Sequence, residues 1–251
     1  MTVRRRRVSP SPPPPPKLTK AEARRRAIAA WWARAPWPCV ILAIDPGAAA
    51  GATILICGPG GIEVYLSEAI DLYDPHPVLE SIVKRACDVA RNRSLPLVGV
   101  LEDWGRGGPR GLAQWIGLGE ARGPWRRALV MRTKEAIPVI TRGRIVLASQ
   151  NRWRSLVIPA TGNVDDTGVW SSFGPEGWKR AAKEAASDLF LDAYIPPEDA
   201  AESACMGAFA ARCDAVGKAL GMRHLARHGM TFEPLEPLIF GERKRAKAAA
   251  G

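Results

Sequence analysis

"LAIDPGAAAGATIL", residues 42–55, is where the architecture starts: an apolar run ends in a single carboxylate, Asp45, and glycines and alanines follow before a second apolar run. Working outward, CVILAID (39–45), GATILIC (51–57) and GIEVYLS (61–67) all have strand length, and the third puts apolar residues on alternate positions. The connecting segments AAAG and GPGG are too short for crossover helices, which predicts an antiparallel meander of three strands. Gly47 allows a tight turn just after the acid and keeps bulk away from it.

Beyond the meander the period changes. PVLESIVKRACDVARN (77–92) repeats apolar residues at helical spacing, and LPLVGVLED (95–103) reads as a buried strand that again ends in acid. A Gly/Arg loop (105–111), a helix over 112–129 and a fifth strand, RIVLAS (144–149), follow. Helices are predicted over 177–194 and 197–220, separated from the fifth strand by a long loop, 163–177, that carries turn residues and no sustained period. The result is an α/β fold: a mixed five-stranded sheet, three antiparallel strands and then parallel ones, with helices on both faces. That order resembles the ribonuclease H-like fold.

The 251-residue length and 47% hydrophobic composition permit a sizeable core. No apolar run approaches a membrane span, and the arginine-rich start lacks the apolar stretch of an export signal, so a soluble cytoplasmic protein is expected, with an organelle transit peptide as the lesser alternative. The formal charge of +11 is unevenly spread: residues 1–36 carry +9, residues 242–251 carry +3, and the remainder sums to −1. We therefore divide the chain into a basic, proline-rich arm (1–36) expected to be largely disordered, a folded domain (37–220) and a C-terminal extension with a basic tail (221–251). Such an arm suits an electrostatic tether to a polyanion, although a solubilising tail has the same composition. Within it, Thr19 is a candidate helix cap, and Trp31 and Trp32 are expected to pack on the body. The five cysteines lack metal-site spacing and read as reduced structural thiols.

The acids fall into place on this fold. If the first and fourth strands are parallel neighbours, Asp45 and Glu102 emerge at one edge, and Asp199 and Glu202, three apart at the start of the last helix, share a face. Converging carboxylates repel unless cations lie between them. Oxygen ligands without His or Cys select Mg²⁺ or Mn²⁺, and a pair of such ions about 4 Å apart activates water and stabilises the leaving oxygen in phosphodiester hydrolysis, with Asp45 as the bridging acid. A strand-end acid is also a common turn residue, and EDAAES suits any helix N-terminus.

LAIDPG, GVLEDW, GLAQWIGLGEARG (111–123) and DAAESACMGAFAA (199–211), in that order, resemble the RuvC-like Holliday junction resolvases, including divergent phage and organelle members. The resemblance covers roughly residues 39–213 and implies a homodimer that nicks four-way DNA junctions in symmetric pairs, with Asp45, Glu102, Asp199 and Glu202 as metal ligands and Lys179 near the scissile phosphate. Glu202 stands where bacterial members usually have Asp, Glu198 competes with Asp199 for the ligand role, and residues 132–144 and 160–177 read as additions. By residue type, Arg106, Arg110, Arg122, Arg152, Arg154, Arg180 and Lys183, together with Lys179, are candidate phosphate contacts. Trp104 is a candidate for stacking at a junction or for rim packing; Trp115 and Trp125 are expected in the core or a dimer interface, and Trp153, Trp170 and Trp178 have no assigned role. A non-catalytic DNA-binding relative would not need the four acids, which argues against it; two other classes share parts of this pattern. One is a nuclease of the same fold acting on RNA–DNA hybrids or flaps. The other is an actin- or sugar-kinase-type ATP-binding protein, which needs a second similar half that this length does not provide.

Overall fold

The computed structural model describes residues 19–46, 49–71, 75–103, 123–125, 140–158, 175–191, 193–195, 199–225 and 231–234. Strand β1 (Cys39–Asp45) is buried along its whole length, which makes it central. It pairs antiparallel with β2 (Ala49–Gly58), which pairs antiparallel with β3 (Gly61–Asp71). On its other side β1 runs parallel to β4 (Leu97–Asp103), and β4 parallel to β5 (Ile140–Ser149). The order β3-β2-β1-β4-β5 is the mixed ribonuclease H-like sheet expected from the sequence.

Alternation along β1 supplies two cores. Val40, Leu42 and Ile44 face helix α2 (Pro75–Asn92), packing with Leu79, Ile82, Val83 and Trp125. Cys39, Ile41 and Ala43 face the opposite way, with Val98 and Val100 of β4 and Val146 and Ala148 of β5. That second face is covered by α3 (Gln150–Val157), α4 (Pro175–Leu189) and α5 (Asp199–Ala210). Helix α5 is buried from Ala200 to its end, and its small residues permit this: a Cβ on Gly207 would lie 2.5 Å from Leu55 Cδ1 and 3.1 Å from Ala43 Cβ. Helices therefore lie on both faces of the sheet.

Helix α1 (Lys20–Trp32) begins at Thr19, whose hydroxyl accepts from the Glu22 amide at 3.2 Å while the Glu22 carboxylate accepts from the Thr19 amide at 2.8 Å, a reciprocal capping box. Its far end docks on the body. Trp31 stacks on Phe209 at 5.2 Å between ring centroids, and Trp32 donates its indole N–H to the Leu156 carbonyl at 3.0 Å.

Four features differ from expectation. The helix predicted over 197–220 is two, α5 and the short α6 (Asp214–Ala219), because the Trp37 amide and indole take the Ala211 and Cys213 carbonyls at 2.8 and 2.9 Å and hold a turn between them. Helix α4 begins at Pro175, inside the predicted loop, and stops at Leu189, where Phe190 turns into the core. Helix α3 was not anticipated: eight residues with two buried positions, Trp153 and Val157, are too few to establish a helical period. Nor was the antiparallel pair β6 (Met222–Leu225) and β7 (Thr231–Pro234), whose four-residue strands lack alternation. The helix predicted over 112–129 lies outside the described residues apart from a helical 123–125, as do Gly47, Trp115, Trp170, residues 1–18, and most of segments 132–144 and 160–177. Among the described residues no helix is long and apolar enough to cross a membrane.

Candidate active site at the acid edge of the sheet

In the parallel pairing of β1 with β4, Ala43 stands opposite Val100 and Ile44 opposite Leu101, so the same offset brings Asp45 level with Glu102. Alternation from Ala43 and Val100 puts both acids on the face covered by α3, α4 and α5. There they are buried, with relative exposures of 7% and 1%, and Glu202, in the first turn of α5, is 4% exposed. Three buried carboxylates at one edge are expensive unless polar groups or cations compensate them.

The start of α5 is fixed by a buried hydroxyl cluster. Thr53 Oγ1 lies 2.6 Å from Ser203 Oγ and 2.9 Å from Ser67 Oγ, and Ser203 donates to the Ala200 carbonyl at 2.8 Å. These bonds join β2, β3 and α5 directly behind Glu202, so the helix can neither slide nor rotate without orphaning buried hydroxyls. Asp199, the first residue of α5, is placed by the same helix start; its side chain and Glu198 lie outside the described residues.

Compensation comes from α3. The Trp153 indole N–H donates to Glu102 Oε1 at 2.9 Å, and Gln150 Nε2 donates to Glu102 Oε2 at 3.3 Å. The next residue, Arg154, makes a close charged hydrogen bond from Nη2 to Glu202 Oε1. Its guanidinium lies 5.3 Å from the Trp153 ring centroid and 5.2 Å from that of Trp178 on α4. Fixed between two indoles, it is a desolvated cation of the kind that aromatic faces stabilise.

Sequence reasoning assigned Arg154 to phosphate; the structure puts it on a carboxylate, with its side chain 16% exposed. Lys179, in the first turns of α4, is half-buried, and Arg152, Arg180 and Lys183 are exposed on α3 and α4. Trp104, Arg106, Arg110 and Arg122 lie outside the described residues, while Trp125 is fully buried in the α2 core. Gln150, Trp153, Thr53, Ser67 and Ser203 were missed as site residues. One signal was available: two acids buried at a sheet edge require donors, and the polar QNRWR stretch directly follows the strand beside β4.

The donor set, three buried carboxylates with no His or Cys, has the chemistry of a hard divalent cation site. Among the described residues, no three His, Cys, Asp or Glu side chains are grouped to hold one ion.

This sheet topology defines the fold class: ribonuclease H-like. No family model and no curated protein matches the chain. Similar solved structures include Thermus thermophilus RuvC in complex with a Holliday junction substrate, at 14% identity and TM-score 0.45, covering 71% of this chain and 96% of that one. Thermus thermophilus RuvC is also similar in a second structure, at 16% identity and TM-score 0.43, with the same coverage. The yeast mitochondrial Holliday junction resolvase Ydc2 is similar at 12% identity and TM-score 0.39, covering 78% of this chain and 86% of that one.

Proposed function

We propose that this chain is a RuvC-like, divalent-metal-dependent endonuclease that resolves four-way DNA junctions by paired symmetric nicks. The observation that carries the reading is the level placement of two buried carboxylates, Asp45 and Glu102, on adjacent parallel strands, with Glu202 brought to the same face by α5. Asp45, Glu102, Glu202 and Asp199 would hold two Mg²⁺ or Mn²⁺ ions. Bound there, the ions supply an activated water and charge stabilisation at the leaving oxygen. The chain's own part is to hold the acids rigidly, to place Lys179 beside the phosphate, and to grip flanking phosphates with the exposed Arg152, Arg180 and Lys183, which read backbone and not sequence. Symmetric cutting of two strands calls for a homodimer. All five cysteines are free, which fits a reducing compartment such as the cytoplasm.

A second reading, a nuclease for RNA–DNA hybrids or flaps, uses the same acids and differs only in substrate. The test is to incubate the purified protein and Mg²⁺ with a four-way junction, a linear duplex, a flap and an RNA–DNA hybrid. Paired nicks confined to the junction are expected. Cutting confined to the hybrid or flap replaces the substrate, and no cutting of any of the four, with ATP bound instead, replaces the class.

A further inference from the structure

Helix α3 touches two acids on two different elements with two consecutive residues. Trp153 reaches Glu102 on β4, and Arg154 reaches Glu202 on α5. In each case the donor takes Oε1. Neither donor has freedom to wander. Trp153 is fully buried, and Arg154 is stacked between Trp153 and Trp178, so the guanidinium is held by α3, α4 and α5 together. Its Nε is buried without a hydrogen-bond partner among the described residues. That cost is accepted at a position where the Nη2 bond and the aromatic faces dictate the side chain's orientation.

A salt bridge placed for stability alone could sit anywhere on these helices; this one fixes a carboxylate that the metal reading requires. We propose that Trp153 and Arg154 are positioning residues of the acid site: they hold Glu102 and Glu202 by one oxygen each, so the spacing between the two carboxylates is set by a dipeptide of α3. The inference rests on the metal reading of the acids given above. Donors behind metal ligands orient them and raise affinity, and losing one typically costs 10- to 100-fold in metal binding. Trp153 also interlocks with Arg154 through its ring, so the two act as one unit. The same contact braces the longer arm of Glu202 at its tip.

The test is calorimetric binding of Mg²⁺ and Mn²⁺ to the full chain, with thermal unfolding in parallel, for the wild type, Trp153→Phe, Arg154→Gln, Arg154→Lys and the Trp153→Phe/Arg154→Gln double variant. Expected are losses of 10- to 100-fold in metal affinity for Trp153→Phe and Arg154→Gln and partial recovery in Arg154→Lys. In the double variant the loss should be smaller than the product of the two single losses, as coupled neighbours require. Where Arg154→Gln does not fold, Trp178→Leu removes one aromatic face from the guanidinium and should still weaken metal binding. Lowered melting temperature with unchanged metal affinity would make the pair merely structural and overturn the inference. Tighter metal binding in Arg154→Gln would overturn it too, showing that the arginine competes with the ion. If the wild type itself binds no divalent cation, the metal reading fails first; if the wild type binds and the variants match it, only the positioning role fails.

Discussion

The two ends of helix α5 are built from opposite materials. At the N-terminal end, Glu202 and the Thr53–Ser203–Ser67 hydroxyl cluster are buried polar groups, held by directional bonds. At the C-terminal end, about 10 Å further along by helical rise, Phe209 stacks on Trp31. Just beyond it Arg212 lies 4.6 Å from the Trp32 ring and donates to the Arg34 carbonyl at 3.1 Å. Burial there pulls the Arg212 guanidinium below its usual range, a cost borne by the surrounding indoles and carbonyls. Trp37 closes that end: its ring lies where a Cβ on Gly217 would be, 2.2 Å from Cζ2. One helix thus carries buried polar groups at one end and aromatic packing at the other, so on the proposed function chemistry and stability should be separable by mutation.

The largest expected effect is at the acid end. Asp45→Asn and Glu102→Gln should each reduce junction nicking on the order of 10³-fold or more. Both substitutions keep the side chain's size and shape, so the variants should still fold and melt cooperatively. A nicking assay beside thermal unfolding checks both halves. At the opposite end Trp37→Ala should cost about 3–5 kcal/mol of stability and Gly217→Ala about 1–3 kcal/mol, read by urea unfolding. Nicking per folded molecule should survive at low temperature, and its selective loss would break the division of labour.

Truncation sharpens the comparison further. Removing residues 1–18, which contain Arg4, Arg5, Arg6, Arg7 and Lys17, should flatten the salt dependence of junction binding, by up to about 4 in log–log slope if all five contact phosphate. Melting should not change. Removing 1–36 takes away α1 and uncovers Phe209 and Arg212, so the slope and the melting temperature should both fall. An unchanged slope in both truncations would deny the arm a role in DNA binding. Thr19→Ala, which opens the capping box, should cost about 1 kcal/mol or less, seen as faster amide exchange in the first turn of α1.

The smallest effect is in the thiols. A hydrogen bond to Cys57, with burial, holds the Cys39 thiol well above its usual range, and burial pushes Cys213 up to about 12. The folded chain therefore keeps protons that the unfolded chain releases. This stability is complete below the ordinary thiol value of 9.0 and is lost as pH rises from there towards 12. Thiol labelling of the native protein at pH 8 should be slow, and unfolding in denaturant should release all five cysteines.

The sheet was legible because its signals are redundant. CVILAID is wholly apolar up to its acid, the hairpin connections are short, and the 57-residue offset between Asp45 and Glu102 is the register that pairing enforces. What escaped notice depends on contacts distant in sequence. Nothing local in QNRWRSLV distinguishes an arginine for DNA from one for Glu202, 48 residues later. Nothing in AARCDAV signals that Trp37, 176 residues before Cys213, would take the carbonyl and end the helix. The hydroxyl cluster is likewise spread over Thr53, Ser67 and Ser203, each unremarkable in its own segment.

On the proposed function the acid edge cuts DNA and does not merely bind it. The most direct measurement compares, for the wild type and Asp45→Asn, the affinity for a four-way junction by gel shift in EDTA with single-turnover nicking after Mg²⁺ is added. The prediction is equal affinity in EDTA with nicking abolished in Asp45→Asn. Undiminished nicking in Asp45→Asn would remove Asp45 from the cutting site.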